Sequence, residues 1–317
     1  MTTLADLLTS LRPLLELGDW VRRDEPLAKH TTMKVGGPAR LWAAPPDEAA
    51  LAATLQAIQR AGLPLFVLGN GSNIVASDEG YEGVVLHLGK GFNTCRVEGD
   101  LLIAGGAALL PQLTKFALKH SLGNFEWACG VPGSVGGSVW GNAGARGWNG
   151  MAFESRDCAA DVHQLRVYDR DGNARALGRH EIEFAYRKSS LGELIVAEAT
   201  FKLRPLSAAE AEERRAIVTE LLAKRRATQP VSQASAGCIW KNPLLAGCAG
   251  AGQLIEQLGL KSAHVGGAEV SALHGNFVVN GGGASGSDIR ALVQHIEEQV
   301  ARETGAHLER EARFLGR

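Results

Sequence analysis

The stretch Gly130-Val131-Pro132-Gly133-Ser134-Val135-Gly136-Gly137, closed by Asn142-Ala143-Gly144, decides how this chain is read. Ordering so glycine-rich a segment costs more chain entropy than a plain connector warrants. A loop of this kind brings bare backbone against a flat or phosphorylated group. A second cluster, Gly69-Asn70-Gly71-Ser72-Asn73, follows the short apolar strand LPLFVLG. The GxGxxG spacing is absent, so this is not the dinucleotide fingerprint. Taken singly, the clusters also read as a structural crossover and a β-turn. Together they favour a dinucleotide cofactor gripped from two sides.

Around these loops the chain reads as α+β. Asp47 to Gly62 has the cap and stop of a helix, and Val84 to Leu88 is an apolar strand, closing a first region at residues 1–89. Residues 90–206 follow, with hairpins at Cys95 to Ala104, turning at Gly99-Asp100, and at Val162 to Leu177. That region also holds a helix from Leu110 to His120 and a strand from Leu194 to Leu203. Residues 207–317 begin with a helix whose Ser207 and Glu210 stand in capping-box spacing. They continue with a short helix (Gln253 to Leu258), a strand (Asn276 to Asn280), a helix (Asp288 to Thr304) and a last strand near Leu308 to Leu315. Leu4, Leu7, Leu8, Leu11, Leu14 and Leu15 recur at helical spacing in a leading amphipathic helix.

The 317 residues are 45% hydrophobic and 21% charged, with a formal net charge of -1. Such balance speaks against a nucleic-acid or anionic-membrane partner. Five cysteines without a CxxC pair suggest neither a metal site nor a disulfide framework. The leading segment lacks the charged and apolar regions of a signal peptide, so the expected compartment is the cytoplasm.

Three further segments can carry chemistry. Phe184-Ala185-Tyr186-Arg187-Lys188-Ser189-Ser190 could hold a carboxylate through the guanidinium fork, although a surface strand end reads the same way. Ala236-Gly237-Cys238-Ile239-Trp240-Lys241-Asn242-Pro243 sets a thiol beside a lysine and an asparagine, whereas a lone cysteine is more often a packing residue. In Leu308-Glu309-Arg310-Glu311, alternation would turn the two glutamates to one face of a strand, or leave them as charged surface pairs.

In their order, these motifs resemble the UDP-N-acetylenolpyruvoylglucosamine reductase family. The resemblance runs from His30-Thr31-Thr32-Met33-Lys34-Val35-Gly36-Gly37 to Glu311. It rests most on VPGSVGGSVWGNAGARG, FAYRKSS, AGCIWKNP, GQLIEQLGLK and LERE. It implies a two-part FAD-binding module of the vanillyl-alcohol oxidase type and a C-terminal substrate-binding domain. It implies non-covalent FAD held by Gly69, Asn70, Gly71, Ser72, Asn73, Gly130, Gly133, Ser134, Gly136, Gly137, Asn142 and Gly144. It further implies reduction of FAD by NADPH, hydride transfer from flavin N5 to C3 of an enolpyruvyl UDP-sugar, and protonation at C2. Arg187, Cys238 and Glu311 match the catalytic positions, and Tyr186, Lys241, Asn242 and His274 the substrate contacts.

Cys238 stands where the family usually has serine as proton donor, and a thiol still carries a transferable proton. The short stretch from Arg187 to Cys238 resembles the branch without a tyrosine-bearing lid. A related FAD oxidase or dehydrogenase would explain the glycine loops but not Arg187, Cys238 and Glu311 together. A non-catalytic flavin or nucleotide-sugar binder is favoured only by the cysteine.

Overall fold

The computed structural model describes residues 13–148, 153–243 and 250–316. The leucines at 4, 7, 8 and 11 and Cys248 lie outside the described residues. The chain forms two units from interleaved segments. One comprises Met1–Arg23, Leu41–Asn70 and Gly83–Ala223; the other comprises Asp24–Arg40, Gly71–Glu82 and Lys224–Arg317.

In the first unit, α1 (Glu48–Ala61) starts where the Asp47 carboxylate accepts the Ala50 amide at 2.8 Å and stops at left-handed Gly62. It buries Leu51, Leu55 and Ile58 in one core with Tyr168 and Ile195. A five-stranded antiparallel sheet runs Ala174–Gly178, Val162–Tyr168, Ile195–Lys202, Leu101–Gly105, Cys95–Glu98. Its outer strands are the two expected hairpins. In one of them, Asp169 accepts the amides of Asp171 and Asn173 across the turn. Helix α2 (Leu110–Lys119) packs Leu110, Leu113 and Ala117 into a second core with Phe125, Trp127 and Phe201.

The glycine-rich stretch is not loop throughout. Ser134 opens a short helix, α3 (Val135–Trp140), and Gly144–Trp148 pairs antiparallel with Phe153–Asp157. Low helix propensity hides such a turn in sequence. It is held by Val139, fully buried, and by amides of Val135 and Gly136 bonded to Ala108 and Gly106 carbonyls at 2.8 Å. Helix α4 (Ala208–Thr228) begins with the reciprocal Ser207 and Glu210 bonds expected of a capping box.

In the second unit, an antiparallel sheet runs Ala234–Cys238, Phe277–Asn280, Ala268–Val270, His264–Val265. The long helix here, Gly286–Thr304, sends fully buried Ile289, Leu292, Val293, Ile296 and Val300 into the same core as Val270 and Val278. At the C-terminus only Arg313–Leu315 is strand, pairing in parallel with Ile74–Ala76. The expected longer strand ends there because Arg310 makes an isolated bridge to Trp240 instead.

Asp78 closes the start of the Gly286–Thr304 helix, accepting the Gly286 and Ser287 amides and the Ser287 hydroxyl at 2.6 to 2.9 Å. Burial works to raise its pKa, but these bonds outweigh it and hold the carboxyl below its ordinary 3.8. The bonds stabilise the ionised form, so their contribution is present at neutral pH and fades as pH falls through the acid range below 3.8. Asp78→Ala is expected to cost about 1 kcal/mol at pH 7. Denaturant melts should show the difference from the parent shrinking as pH falls below 3.8.

Candidate active site

Gly69 and Asn70, the first two residues of one glycine cluster, meet the other cluster within the first unit. A Cβ built on Gly69 would lie 2.5 Å from Ser134 Oγ and 3.6 Å from Gly137 Cα, so only hydrogen fits where the turns touch. Asn70 donates from Nδ2 to the Pro132 carbonyl at 2.6 Å, tying the first turn to the second. Ser134 is buried and its hydroxyl caps the Gly137 amide, at 3.5 Å. Gly133, Gly136 and Gly144 press instead on Ser138, Val196 and Arg156. Gly130 ends the turn of 3-10 helix Glu126–Gly130.

That turn is anchored by a buried polar cluster. The Trp127 indole donates to Asp161, which also takes Arg156 through both its oxygens. Burial raises the Glu126 carboxyl, partly opposed by Arg214 with its Nε 3.9 Å away. Asn142 is spent inside the protein, its Nδ2 donating to Asp157 and to the Ala185 carbonyl and its Oδ1 accepting from Ala159. It therefore supports the hairpin Phe184–Ala185 and Lys188–Ser189. Tyr186 and Arg187 form the two-residue tip. Tyr186 is 54% exposed, and left-handed Arg187 (φ 57°) stacks its guanidinium 5.3 Å from the Tyr186 ring centroid. Non-glycine residues rarely sit at such φ, a strain typical of functional tips.

The second unit collects the other candidates. Gly71 lies against the His30 carbonyl, and the Thr32 hydroxyl donates to the Ser235 carbonyl at 2.6 Å. Ser72 comes next to Gly237, whose hypothetical Cβ would be 3.8 Å from the Ser72 carbonyl oxygen. Gly237 is left-handed (φ 72°) within a register shift between Ser235 and Cys238. A bulge of this kind re-aims the next side chain, here the half-buried Cys238. Asn73 donates to the Glu311 carbonyl at 3.0 Å, and the Ile239 carbonyl accepts the amides of Glu311 and Ala312 at 2.8 and 3.1 Å. The Asn73 side chain and the Ile239 carbonyl thus bring the Gly71–Asn73 turn, the residue after Cys238 and Glu311 into one place.

The remaining expected contacts are partly engaged with the protein itself. Lys241 pairs with Glu309. Asn242 Oδ1 accepts the Ala251 amide at 3.2 Å, at the start of helix Ala251–Gln257. Burial lowers the His274 pKa from its ordinary 6.5, and Nδ1 accepts the Asn276 amide, which leaves the proton on Nε2. Sequence reasoning missed Asn276. This buried side chain accepts the Trp240 amide at 2.9 Å and donates to the Trp240 carbonyl at 2.8 Å. Sequence patterning placed it only at the start of a strand, and its position just before Phe277–Asn280 offered no signal of that role.

The touching turns set the bare backbone of Gly69 beside that of Gly137, an arrangement that fits the pyrophosphate of a dinucleotide such as FAD. Gly69→Ala is expected to disturb the contact with Ser134 and to lower bound flavin. Gly69→Ala/Ser134→Gly should recover part of it. The check is the ratio of visible flavin absorbance to protein absorbance in purified samples. Full flavin in the single variant would contradict this arrangement.

Residues 229–315 match the model of the UDP-N-acetylenolpyruvoylglucosamine reductase C-terminal domain, and residues 39–178 match an FAD binding domain. A UDP-N-acetylenolpyruvoylglucosamine reductase of Heliobacterium modesticaldum is 42% identical, covering 94% of this chain and 91% of its own. One of Bacillus velezensis is 35% identical, with 93% and 94% covered. The crystal structure of such a reductase from Thermus caldophilus superposes with a TM-score of 0.77 at 34% identity, covering 93% of this chain and 99% of that one. With both parts of the chain matched and its relatives aligned almost end to end, the chain belongs to the UDP-N-acetylenolpyruvoylglucosamine reductase family and is an FAD-binding oxidoreductase.

Proposed function

We propose that this chain reduces UDP-N-acetylglucosamine enolpyruvate to UDP-N-acetylmuramate with NADPH, as a cytoplasmic step of peptidoglycan precursor synthesis. FAD, held at Gly69, Asn70 and the Gly133–Gly137 loop, would supply the two-electron chemistry that links NADPH to the enolpyruvyl C3. The chain must bind the UDP-sugar, stabilise the negative charge that develops at C2 and its carboxylate, and deliver one proton to C2. The observation that carries this reading is the backbone link between the Cys238 and Glu311 segments within the second unit: the carbonyl of Ile239, next to Cys238, accepts hydrogen bonds from the amides of Glu311 and Ala312.

Arg187 serves as the carboxylate partner. Its strained tip conformation and its stack on Tyr186 limit how far the guanidinium can wander before substrate arrives. A fixed cation beside developing charge lowers a barrier more than a mobile one does. Cys238 supplies the proton. A thiol, with an ordinary pKa of about 8.5, is neutral at pH 7 and a far stronger acid than a serine hydroxyl. The bulge at Gly237 sets the direction in which that thiol leaves the strand. Glu311 acts beside the same carbon, its backbone held by Asn73 and Ile239.

Stopped-flow spectroscopy separates the two half-reactions. Cys238→Ala is expected to slow reoxidation of the reduced flavin by substrate roughly 10²- to 10⁴-fold. Reduction by NADPH should stay close to the parent rate, and Cys238→Ser should keep appreciable turnover. Arg187→Ala should slow the same reoxidation about 10²-fold. A Cys238→Ala protein reoxidised at the parent rate would remove the thiol from the mechanism.

A further inference from the structure

The helix Gly286–Thr304 turns an apolar face inward, with Ile289, Leu292, Val293, Ile296 and Val300 fully buried. Next to Ile296 on this helix is Glu297, whose side chain is only 21% exposed. A carboxylate so placed loses hydration and needs donors in return. It has three. Oε1 accepts the Trp240 indole N–H at 2.9 Å and Arg310 Nε at 2.7 Å, and Oε2 accepts Arg310 Nη2 at 2.6 Å.

Both partners belong to the segments that carry the candidate acids. Trp240 is two residues beyond Cys238 and fully buried; Arg310 immediately precedes Glu311. The two segments are also bridged by backbone, Trp240 to Arg310 and Lys241 to Glu309. One side chain thus grips the two segments from the helix side, close to the place where Ile239 takes the Glu311 amide. The guanidinium is further held over the Phe314 ring, 4.9 Å from its centroid. The paired fork geometry of Arg310 on Glu297 resists sliding of one segment past the other in a way a single bond does not.

We propose that Glu297 is a positioning residue for the reduction: by bonding Trp240 and Arg310 together it sets the register between Cys238 and Glu311. This rests on the reading of function above. Glu297 touches neither of those side chains in the described bonds, so its effect is indirect, through Trp240 and Arg310. Losing it would let the two acids shift relative to one another while the antiparallel sheet behind them persists.

The test uses the FAD-loaded full chain, photoreduced without oxygen and mixed with UDP-N-acetylglucosamine enolpyruvate. Glu297→Ala is expected to lower the limiting reoxidation rate about 30-fold, since misplacement on the order of 1 Å costs up to about 10²-fold. Half-saturating substrate should change by less than roughly threefold, as befits a loss confined to the transition state. The solvent deuterium isotope effect on reoxidation should rise, because a displaced donor makes proton transfer slower. Reduction by NADPH should stay within about twofold of the parent, the flavin being untouched. Glu297→Gln keeps an acceptor for Trp240 but no charge for Arg310 and should fall between; it carries the test if Glu297→Ala does not fold. An independent readout is alkylation of the apoprotein by iodoacetamide, resolved by peptide mass. Cys238 should react several-fold faster in the variant, with exposed Cys95 as the unchanged reference. If the parent enzyme is not reoxidised by this substrate, the functional reading fails, and the Cys238 labelling alone then decides the clamp. Parent-like reoxidation and parent-like Cys238 labelling in the variant would overturn the clamp. So would equal loss of both half-reactions together with loss of flavin, which marks a purely structural residue.

Discussion

The carbonyl of Ile239 accepting two amides, from Glu311 and Ala312, is the constraint on which the chemistry proposed for the second unit depends. It joins the residue after Cys238 to the residue that ends the LERE segment. Bonds on either side reinforce it. Asn276 holds both backbone groups of Trp240, and Asn73 holds the Glu311 carbonyl. An extended segment with so few ladder bonds of its own gains definition only from such cross-links, since isolated two-stranded pairings are marginal in water. The bulge at Gly237 then turns the thiol while the strand Ala234–Cys238 stays paired to Phe277–Asn280.

In the first unit the corresponding constraint is steric. Gly69 and Ser134 approach so closely that neither turn can carry a larger group there. Asn70 on Pro132 fixes the approach, and the Asp161 cluster under Trp127 fixes the turn that precedes it. Polar groups this buried stabilise a loop only when their partners are complete. Asn142 illustrates the division of labour. Its side chain spends its donors on Asp157 and on the hairpin that carries Arg187.

Local signals were legible in the sequence because their physics is local. Asp47 and Gly62 bound one helix, and Ser207 with Glu210 opens another, as the capping chemistry requires. Both hairpins follow their turn residues. Long-range pairing was not legible. Nothing in Ile74–Ala76 announces that it pairs with Arg313–Leu315, and that pairing draws a short early segment into the C-terminal unit. The short helix after Ser134 was hidden by its glycines, and the expected strand from Leu308 was shortened because Arg310 makes an isolated bridge to Trp240. The candidate residues themselves were found by the order of motifs. Asn276 and Glu297, which hold those motifs in place, lie in stretches whose polarity looks like ordinary surface.

The most direct test of the account is an anaerobic titration of the FAD-loaded protein. NADPH should bleach the flavin absorbance, and UDP-N-acetylglucosamine enolpyruvate should then restore it with formation of UDP-N-acetylmuramate. A flavin that bleaches and stays bleached after that substrate is added would contradict the proposed reaction while leaving the FAD-binding fold intact.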